Sequence, residues 1–398
     1  MSQKNNKNKN KNKNKNKNKN KTIKEIEKKP TDPVSDFVDE QTFFTILEHY
    51  QNLDSQVTKT KLIEKMKTFQ LKKNQPQYMW EPKYSYEHEN KFLKLHSEIL
   101  EFQNYIQPTE ETRKMRNAIL AKVEKAIKKL WITAKVNVYG SFTTDSYLPD
   151  SDLDIFVDSK ILKPDSQLAS DLGKHLSKKI FREDFEDLQI VKNARFPLVR
   201  FYDKPTHIHI DITFNRKNTQ TNVLLYRRLL ASYPPLKPLL FVMKTFLKAK
   251  MLNEPYRGGI GSYCTMLMIV SLIQRIPLSY EEKKMENLGK LLVAFFQVYS
   301  KFDYENVGIS ICGEGCYFSK KALNVYDEES PLTFYFHDPI GFEDNLTRAC
   351  FAITELKTVF SEAFHLLIKG NSLQSIFLKT YEYAFNFRKK REIVKKKK

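Results

Sequence analysis

Residues 136–160 read VNVYGSFTTDSYLPDSDLDIFVDSK, and no other segment narrows so sharply what the chain can become. A short run of alternating apolar residues ends at Gly140-Ser141, and ten residues separate that pair from Asp152-Leu153-Asp154. The pattern predicts a strand, a tight turn and a second strand that carries both acids. In a strand, side chains i and i+2 point the same way, so Asp152 and Asp154 share one face while Leu153, Ile155 and Val157 take the buried one. A Gly-Ser turn lets backbone N–H groups approach a triphosphate, and the hydroxyl adds another donor. Adjacent carboxylates repel one another without cations, and Mg²⁺ prefers carboxylate and phosphate oxygens. Either pair alone is an ordinary turn or a solvated acidic edge; joined at this spacing they describe a site for metal-assisted chemistry on a nucleotide.

A third acid follows. Residues 207–214, HIHIDITF, alternate strictly, with Ile208, Ile210, Ile212 and Phe214 on one face and His207, His209, Asp211 and Thr213 on the other. Asp211 therefore sits mid-strand on a polar face, where a neighbouring strand can bring it beside the first pair. The two histidines read as part of that polar face in preference to zinc ligands.

A chain of 398 residues holds about two domains plus tails. It contains 28 Phe and 20 Tyr, ample material for a core. Cys264, Cys312, Cys316 and Cys350 form no C-x-x-C pair, which suits buried thiols in a reducing compartment. The longest apolar run, around Tyr263–Ile273, is too short to span a bilayer, and the Lys/Asn-rich start lacks an apolar signal region. These features predict a soluble intracellular protein with no membrane partner.

The net charge of +20 is unevenly placed. Residues 1–21 carry nine lysines and no acid, and residues 388–398 carry eight basic residues and one glutamate, so the two ends hold 16 of the 20 excess charges. The number is thus no sign of a globally basic face. The Lys-Asn repeat cannot bury apolar surface and is expected to be disordered. It is either solubilising filler or a weak, salt-sensitive contact to phosphates.

Between the tails, Glu40–Leu53 reads as a helix and residues 78–90 as a covering loop. Thr112–Leu130 carries a buried helical stripe through Met115, Ile119, Val123, Ile127 and Leu130. Strands, with a helix over Ser166–Ile180, occupy residues 135–215. From Asn222 the chain reads as helical: Leu236–Lys250, Ser262–Ile276, Met285–Phe302, Arg348–Ile368 and Leu373–Lys390. An irregular stretch with Gly313, Gly315, Pro331 and Pro339 lies among them. The expectation is an α+β fold, a mixed sheet domain bearing three acids joined to an all-helical domain, with the nucleotide in the cleft between them.

At this point the chain resembles the noncanonical poly(A) polymerases and terminal uridylyltransferases of the DNA polymerase β superfamily, nearest the polymerase subunit of the nuclear TRAMP complex. The segments that carry the likeness are LHSEILEFQNYIQPTEETRKMR, VNVYGSFTTDSYLPDSDLDIFV, HIDITFN, KMLNEPYRGGIGSYCTMLMIVSLIQ, LGKLLVAFFQVYSKFDYENVGISI and HDPIGFEDNLTRA. They run in the family's order from about Leu95 to Leu367. The resemblance implies a nucleotidyltransferase palm at 131–221 and a helical PAP-associated central domain at 222–388. Helices at 95–130 would pack on that central domain. A disordered tail (1–33), an N-terminal extension (34–94) and a basic tail (389–398) complete the chain.

By the same resemblance, Gly140 and Ser141 hold the triphosphate, and Asp152, Asp154 and Asp211 ligate two Mg²⁺ (or Mn²⁺) ions. Lys244 and Lys248, one helical turn apart, reach the phosphates. Ser262 bonds a phosphate, Tyr263 stacks on the base and Asn222 approaches the ribose. The implied activity is template-independent addition of AMP to an RNA 3′ end, in RNA processing or decay. The rivals are UTP-using uridylyl transfer and a non-catalytic RNA-complex scaffold. The implied location is nuclear (the alternative, cytoplasmic), with a zinc-knuckle or other RNA-binding protein as partner. One departure concerns the base: the loop DPIGFEDNLTR has Asp344-Asn345 where poly(A) members usually show Asn-Asp and uridylyl members often show His-Asn, and Thr347 replaces a Gly. An ionised Asp344 only accepts hydrogen bonds and so suits adenine's amine, whereas the Asn that follows matches the uridylyl pattern. ATP is favoured and UTP stays open.

Overall fold

The computed structural model describes Trp80, Pro82 and residues 90–377, apart from 160, 162, 179–180, 182, 195, 216–218, 277–286 and 342–344. Both tails, the helix over Glu40–Leu53, Asp344, most of the covering loop and most of the last helix therefore lie outside the described residues.

Two helices open this region, α1 (Lys91–Ile106) and α2 (Glu110–Leu130). Each has its own start signal. The Asn90 side chain accepts from Phe92 N at 2.9 Å, and Thr109 and Thr112 form a reciprocal capping box with Glu110 and Glu111 in the first turn. A five-stranded sheet follows, ordered β1-β2-β5-β4-β3, from β1 (Lys135–Val138), β2 (Leu153–Asp158), β3 (Phe185–Val191), β4 (Leu198–Asp203) and β5 (His209–Phe214). Only the central β2–β5 pair is parallel. Leu153, Ile155 and Val157 are fully buried as the alternation requires, and they pack in one core with α2 and with α3 (Asp165–Leu176). Burying each such side chain is worth roughly 1.5–3 kcal/mol, so the register of the acid-bearing strand is strongly fixed.

The second core gathers α4 (Thr219–Ser232), α5 (Leu236–Ala249), α6 (Ser262–Arg275), α7 (Leu288–Lys301), α8 (Ile353–Ile368) and α9 (Gln374–Phe377). Helix α5 is buried almost all round, and Phe246 meets Phe296 and Phe360 at 4.9 and 6.1 Å. The α+β class stands, with three differences in detail. The helices at 95–130 do not act as one unit: Leu95, Ile99, Phe102 and Ile106 of α1 join the helical core, while Ile119, Val123 and Ile127 of α2 join the sheet. Their apolar stripes are separate, and the extended backbone at Gln107 and Thr109 divides them. The second half is not all-helical, because the irregular stretch forms a small sheet ordered β7-β6-β8 from β6 (Val307–Ser310), β7 (Cys316–Ser319) and β8 (Tyr335–Phe336). Strands this short leave almost no periodicity to read. Finally, α8 begins at Ile353 and not at Arg348, because Ala352 N bonds back to Gly258 O at 3.0 Å.

Candidate active site

The turn after β1 carries the first site residues. Gly140 has φ +67°, which an L side chain adopts only at a cost. The chain then makes a single 3₁₀ turn over Gly140–Thr144, held by Tyr139 N to Asp154 O at 3.1 Å and Ser146 N to Ser141 O at 3.0 Å. Both halves of the molecule grip the loop from there to Asp152. From α2, the fully buried Arg116 donates to Ser151 O at 2.7 Å and Pro149 O at 3.2 Å, and its guanidinium covers the Tyr147 ring at 4.4 Å. From α5, Lys244 Nζ donates to Ser146 O at 2.6 Å, and Lys248 pairs with Asp150 at 2.7 Å. From α4, the Tyr226 hydroxyl joins a buried chain with Ser146 and Thr144, each link 2.8 Å. In this state both lysines are engaged with the loop that presents Gly140-Ser141.

The acids meet across the sheet. In the parallel β2–β5 pair, Asp154 stands opposite Asp211, and in the antiparallel β4–β5 pair, Arg200 stands opposite Asp211. Asp152 lies at the entry to β2, one residue before the strand. Arg200 holds Asp211 with both arms of its fork, Nε to Oδ1 at 2.7 Å and Nη2 to Oδ2 at 2.5 Å. Burial, followed by the charges of Asp152 and Asp211, pushes the Asp154 carboxyl up to about 7. Burial and Asp211 likewise raise Asp152. Burial depresses Lys244 to about 8 against the opposing pull of Asp154. The hydrogen bonds to Asp211 raise Arg200 further, so it stays cationic.

Burial first, and mutual repulsion second, hold Asp152 and Asp154 above the usual carboxylate range even though cations stand near them. Hard oxygen donors crowded enough to resist ionisation suit a divalent cation at Asp152 and Asp154. Among the described residues, however, no three His, Cys, Asp or Glu side chains converge closely enough to hold a metal unaided. Asp211, the third acid, has both its oxygens held by Arg200.

A cleft of about 980 Å³ opens over these groups. Gly140, Ser141, Asp152, Asp154, Asn222, Lys244, Lys248, Ser262 and Tyr263 all line it. Asp211 is buried, and Arg200 faces the cleft in its place. The Tyr263 hydroxyl is buried without a hydrogen-bond partner, and burial raises its pKa. His209 lines the cleft with its ring 3.9 Å from that of Tyr202. His207 lies before the strand at φ +54°, so the expected alternation begins two residues late. The polar face of β5 is also covered, with Asp211 and Thr213 both buried. Asn345 is committed to the fold: its amide oxygen accepts from Phe336 N and Thr347 N, and its nitrogen donates to Phe334 O.

Sequence reasoning missed Arg116 and Arg200. Arg116 falls on the apolar stripe of α2, at helical spacing from Ile119 and Val123, and a charge there signals a buried partner. Arg200 alternates with the buried Val199 and Phe201, a cue that it faces the same way as the acids.

A family model described as "Poly(A) RNA polymerase, mitochondrial-like, central palm domain" matches residues 95–228, and one described as "Cid1 family poly A polymerase" matches residues 287–343. Poly(A) RNA polymerase cid14 of Schizosaccharomyces pombe is 32% identical over 72% of this chain and 42% of its own length. Poly(A) RNA polymerase protein 1 of Saccharomyces cerevisiae is 34% identical over 69% of this chain and 43% of its own. The polymerase core of TRAMP, an RNA surveillance complex, superposes with a TM-score of 0.64 at 29% identity, covering 74% of this chain and 92% of that one. The fold is that of the polymerase β-like nucleotidyltransferases. The chain belongs to the noncanonical poly(A) RNA polymerase family. It spans under half the length of these two curated relatives.

Proposed function

We propose that the protein is a template-independent RNA 3′-terminal nucleotidyltransferase that adds AMP. The observation that carries this reading is the cleft wall on which Asp152 and Asp154 stand beside the Gly140 turn, with Asp211 in register behind them. Asp152, Asp154 and Asp211 would hold two divalent ions, Mg²⁺ or Mn²⁺, which when bound stabilise the attacking and leaving oxygens of the displacement. The chain's own part is to orient the substrates. Backbone N–H groups of the Gly140-Ser141 turn and the Ser262 hydroxyl, on the cleft wall, would cradle a triphosphate. Tyr263 offers a ring for the base. Lys244 and Lys248 would exchange their loop contacts for phosphate oxygens.

The base is the finer question. The amide of Asn345 is spent on Phe334, Phe336 and Thr347, so the residue that spoke for UTP is not available to read a base. This supports ATP. A zinc-knuckle or other RNA-binding partner, nuclear residence and a role in RNA decay belong to the same proposal.

The test incubates purified protein and labelled RNA with each NTP separately, in Mg²⁺ and in Mn²⁺. Extension with ATP that is lost in Asp152→Ala/Asp154→Ala supports the reading. No extension with any NTP removes the enzymatic reading and leaves the scaffold.

A further inference from the structure

The pairing of Arg200 with Asp211 is more than a cross-strand ion pair. We infer that Arg200 is a displaceable internal cation. It occupies Asp211 while the acceptor is absent and moves to a phosphate of the arriving RNA 3′ end, which frees Asp211 for a divalent ion. This rests on the proposed reading of the cleft as an RNA-extending site.

Three observations carry it. First, the fork is complete: Nε and Nη2 take one carboxylate oxygen each, so a second cation at Asp211 must displace or repel the first. Second, the pair is asymmetric. The Asp211 side chain is 12% exposed and held within the sheet, while that of Arg200 is 32% exposed and lines the cleft. A swing of Arg200 therefore needs no movement of the strand. A guanidinium fork fits a phosphate as well as a carboxylate, so the exchange keeps its hydrogen bonds. Third, Arg200 has a neighbouring platform. Tyr202, two residues along the same strand face, pairs with His209 at 3.9 Å on the same cleft wall. A terminal base stacked there brings its phosphodiester towards Arg200.

A fixed strut and a displaceable cation differ in linkage. If RNA draws Arg200 away, RNA tightens cation binding, and the cation must tighten RNA binding by the same factor. The experiment titrates Mn²⁺ into the full chain by electron paramagnetic resonance. A non-hydrolysable ATP analogue is present, with or without a short RNA ending in a 3′-deoxynucleotide, so no turnover occurs. For wild type, RNA should tighten the weaker Mn²⁺ by about tenfold, within the usual range of coupling between sites. Arg200→Gln should bind that ion tightly without RNA and show no further gain when RNA is added. Arg200→Lys, with charge but no fork, should fall between.

Superimposable isotherms for wild type and Arg200→Gln, with and without RNA, overturn the inference and make Arg200 a strut. If Arg200→Gln fails to fold, the wild-type titrations still decide, since absence of reciprocal coupling overturns it. A parallel extension assay separates the two levels. Wild type that extends RNA without coupling sinks the displaceable cation alone; wild type that extends nothing sinks the reading beneath it.

Discussion

Gly140→Ala tests the geometry of the site through a quantity that needs no substrate. A left-handed backbone costs an L residue about 1–2 kcal/mol, of which about 0.4–1 is returned because alanine restricts the unfolded chain. Gly140 carries a second cost: an added Cβ would lie 2.4 Å from Asp154 Oδ2 and 3.2 Å from its Cγ. Asp154 then has to shift in a packed wall, at about 1–3 kcal/mol. Gly313 is the control, since it has φ +64° and nothing within 4 Å of the position its Cβ would take. Gly313→Ala should therefore lose up to about 1.6 kcal/mol, and Gly140→Ala about 1–5 kcal/mol. At about 1–2 °C per kcal/mol for a chain of 398 residues, melting in EDTA should fall by about 3 °C at most for the control. For Gly140→Ala the fall should be larger, up to about 10 °C. Only Gly140→Ala should also weaken binding of an ATP analogue. Equal losses in the two variants would mean that Asp154 does not abut the turn, and the site as described would be wrong.

Asp154→Asn should alter the pH dependence of the metal-free protein. The folded state keeps a proton on Asp154 up to about 7 while the unfolded chain releases it near 3.8, so wild-type stability should fall as pH rises through that window. In the variant this fall should be shallower, as melting in EDTA at pH 5 and pH 8 would show; an unchanged slope refutes the shift. Tyr263→Ala should weaken every NTP by about 1–3 kcal/mol, measured by competition titration, and a loss confined to one base would give the ring a reading role instead. Deleting residues 1–33 and 389–398 should leave the protein folded and its metal chemistry intact. It should also flatten the salt dependence of RNA binding, because most of the excess charge lies in the tails; identical slopes would reduce them to solubilising sequence.

The sequence revealed faces more readily than partners. Alternation placed Leu153, Ile155 and Val157 in the core, and set Asp154 and Asp211 on strands that the fold then pairs in register. Helical spacing found α5, α6 and α8 because their apolar faces recur within one element. Arg200 stayed hidden because its meaning depends on which strand lies beside which, and the β4–β5 register is a property of the whole sheet. Arg116 lies on a legible stripe, but its acceptors are backbone carbonyls of the loop before β2, and side-chain pattern carries no information about those. The small sheet β6–β8 was invisible for a different reason. Its strands are held by backbone pairing and by Asn345 and Thr347 reaching Phe334 O and Phe336 N, and its last strand is two residues long.

The charges around the cleft explain how a site rich in acids can accept a polyanion. Asp150, Asp152, Asp154 and Asp211 face Arg116, Arg200, Lys244 and Lys248, so the substrate-free site is close to self-neutral. Bulk attraction is therefore a weak lever in the cleft, and binding has to proceed by exchange. In the proposed reading, Lys244 and Lys248 would exchange their loop contacts for phosphate oxygens, and Asp152 and Asp154 would hold the accompanying divalent ions. Each buried charge leaves one partner for another and none is stranded, which matters because an unpaired buried ion costs far more than a pair returns. The same logic singles out Asp211. Its partner Arg200 cannot leave until another anion is within reach, and in an RNA-extending enzyme that anion is the backbone of the acceptor. The order of exchange would then favour a complete site only when both substrates are present, so that the nucleotide is not spent on water.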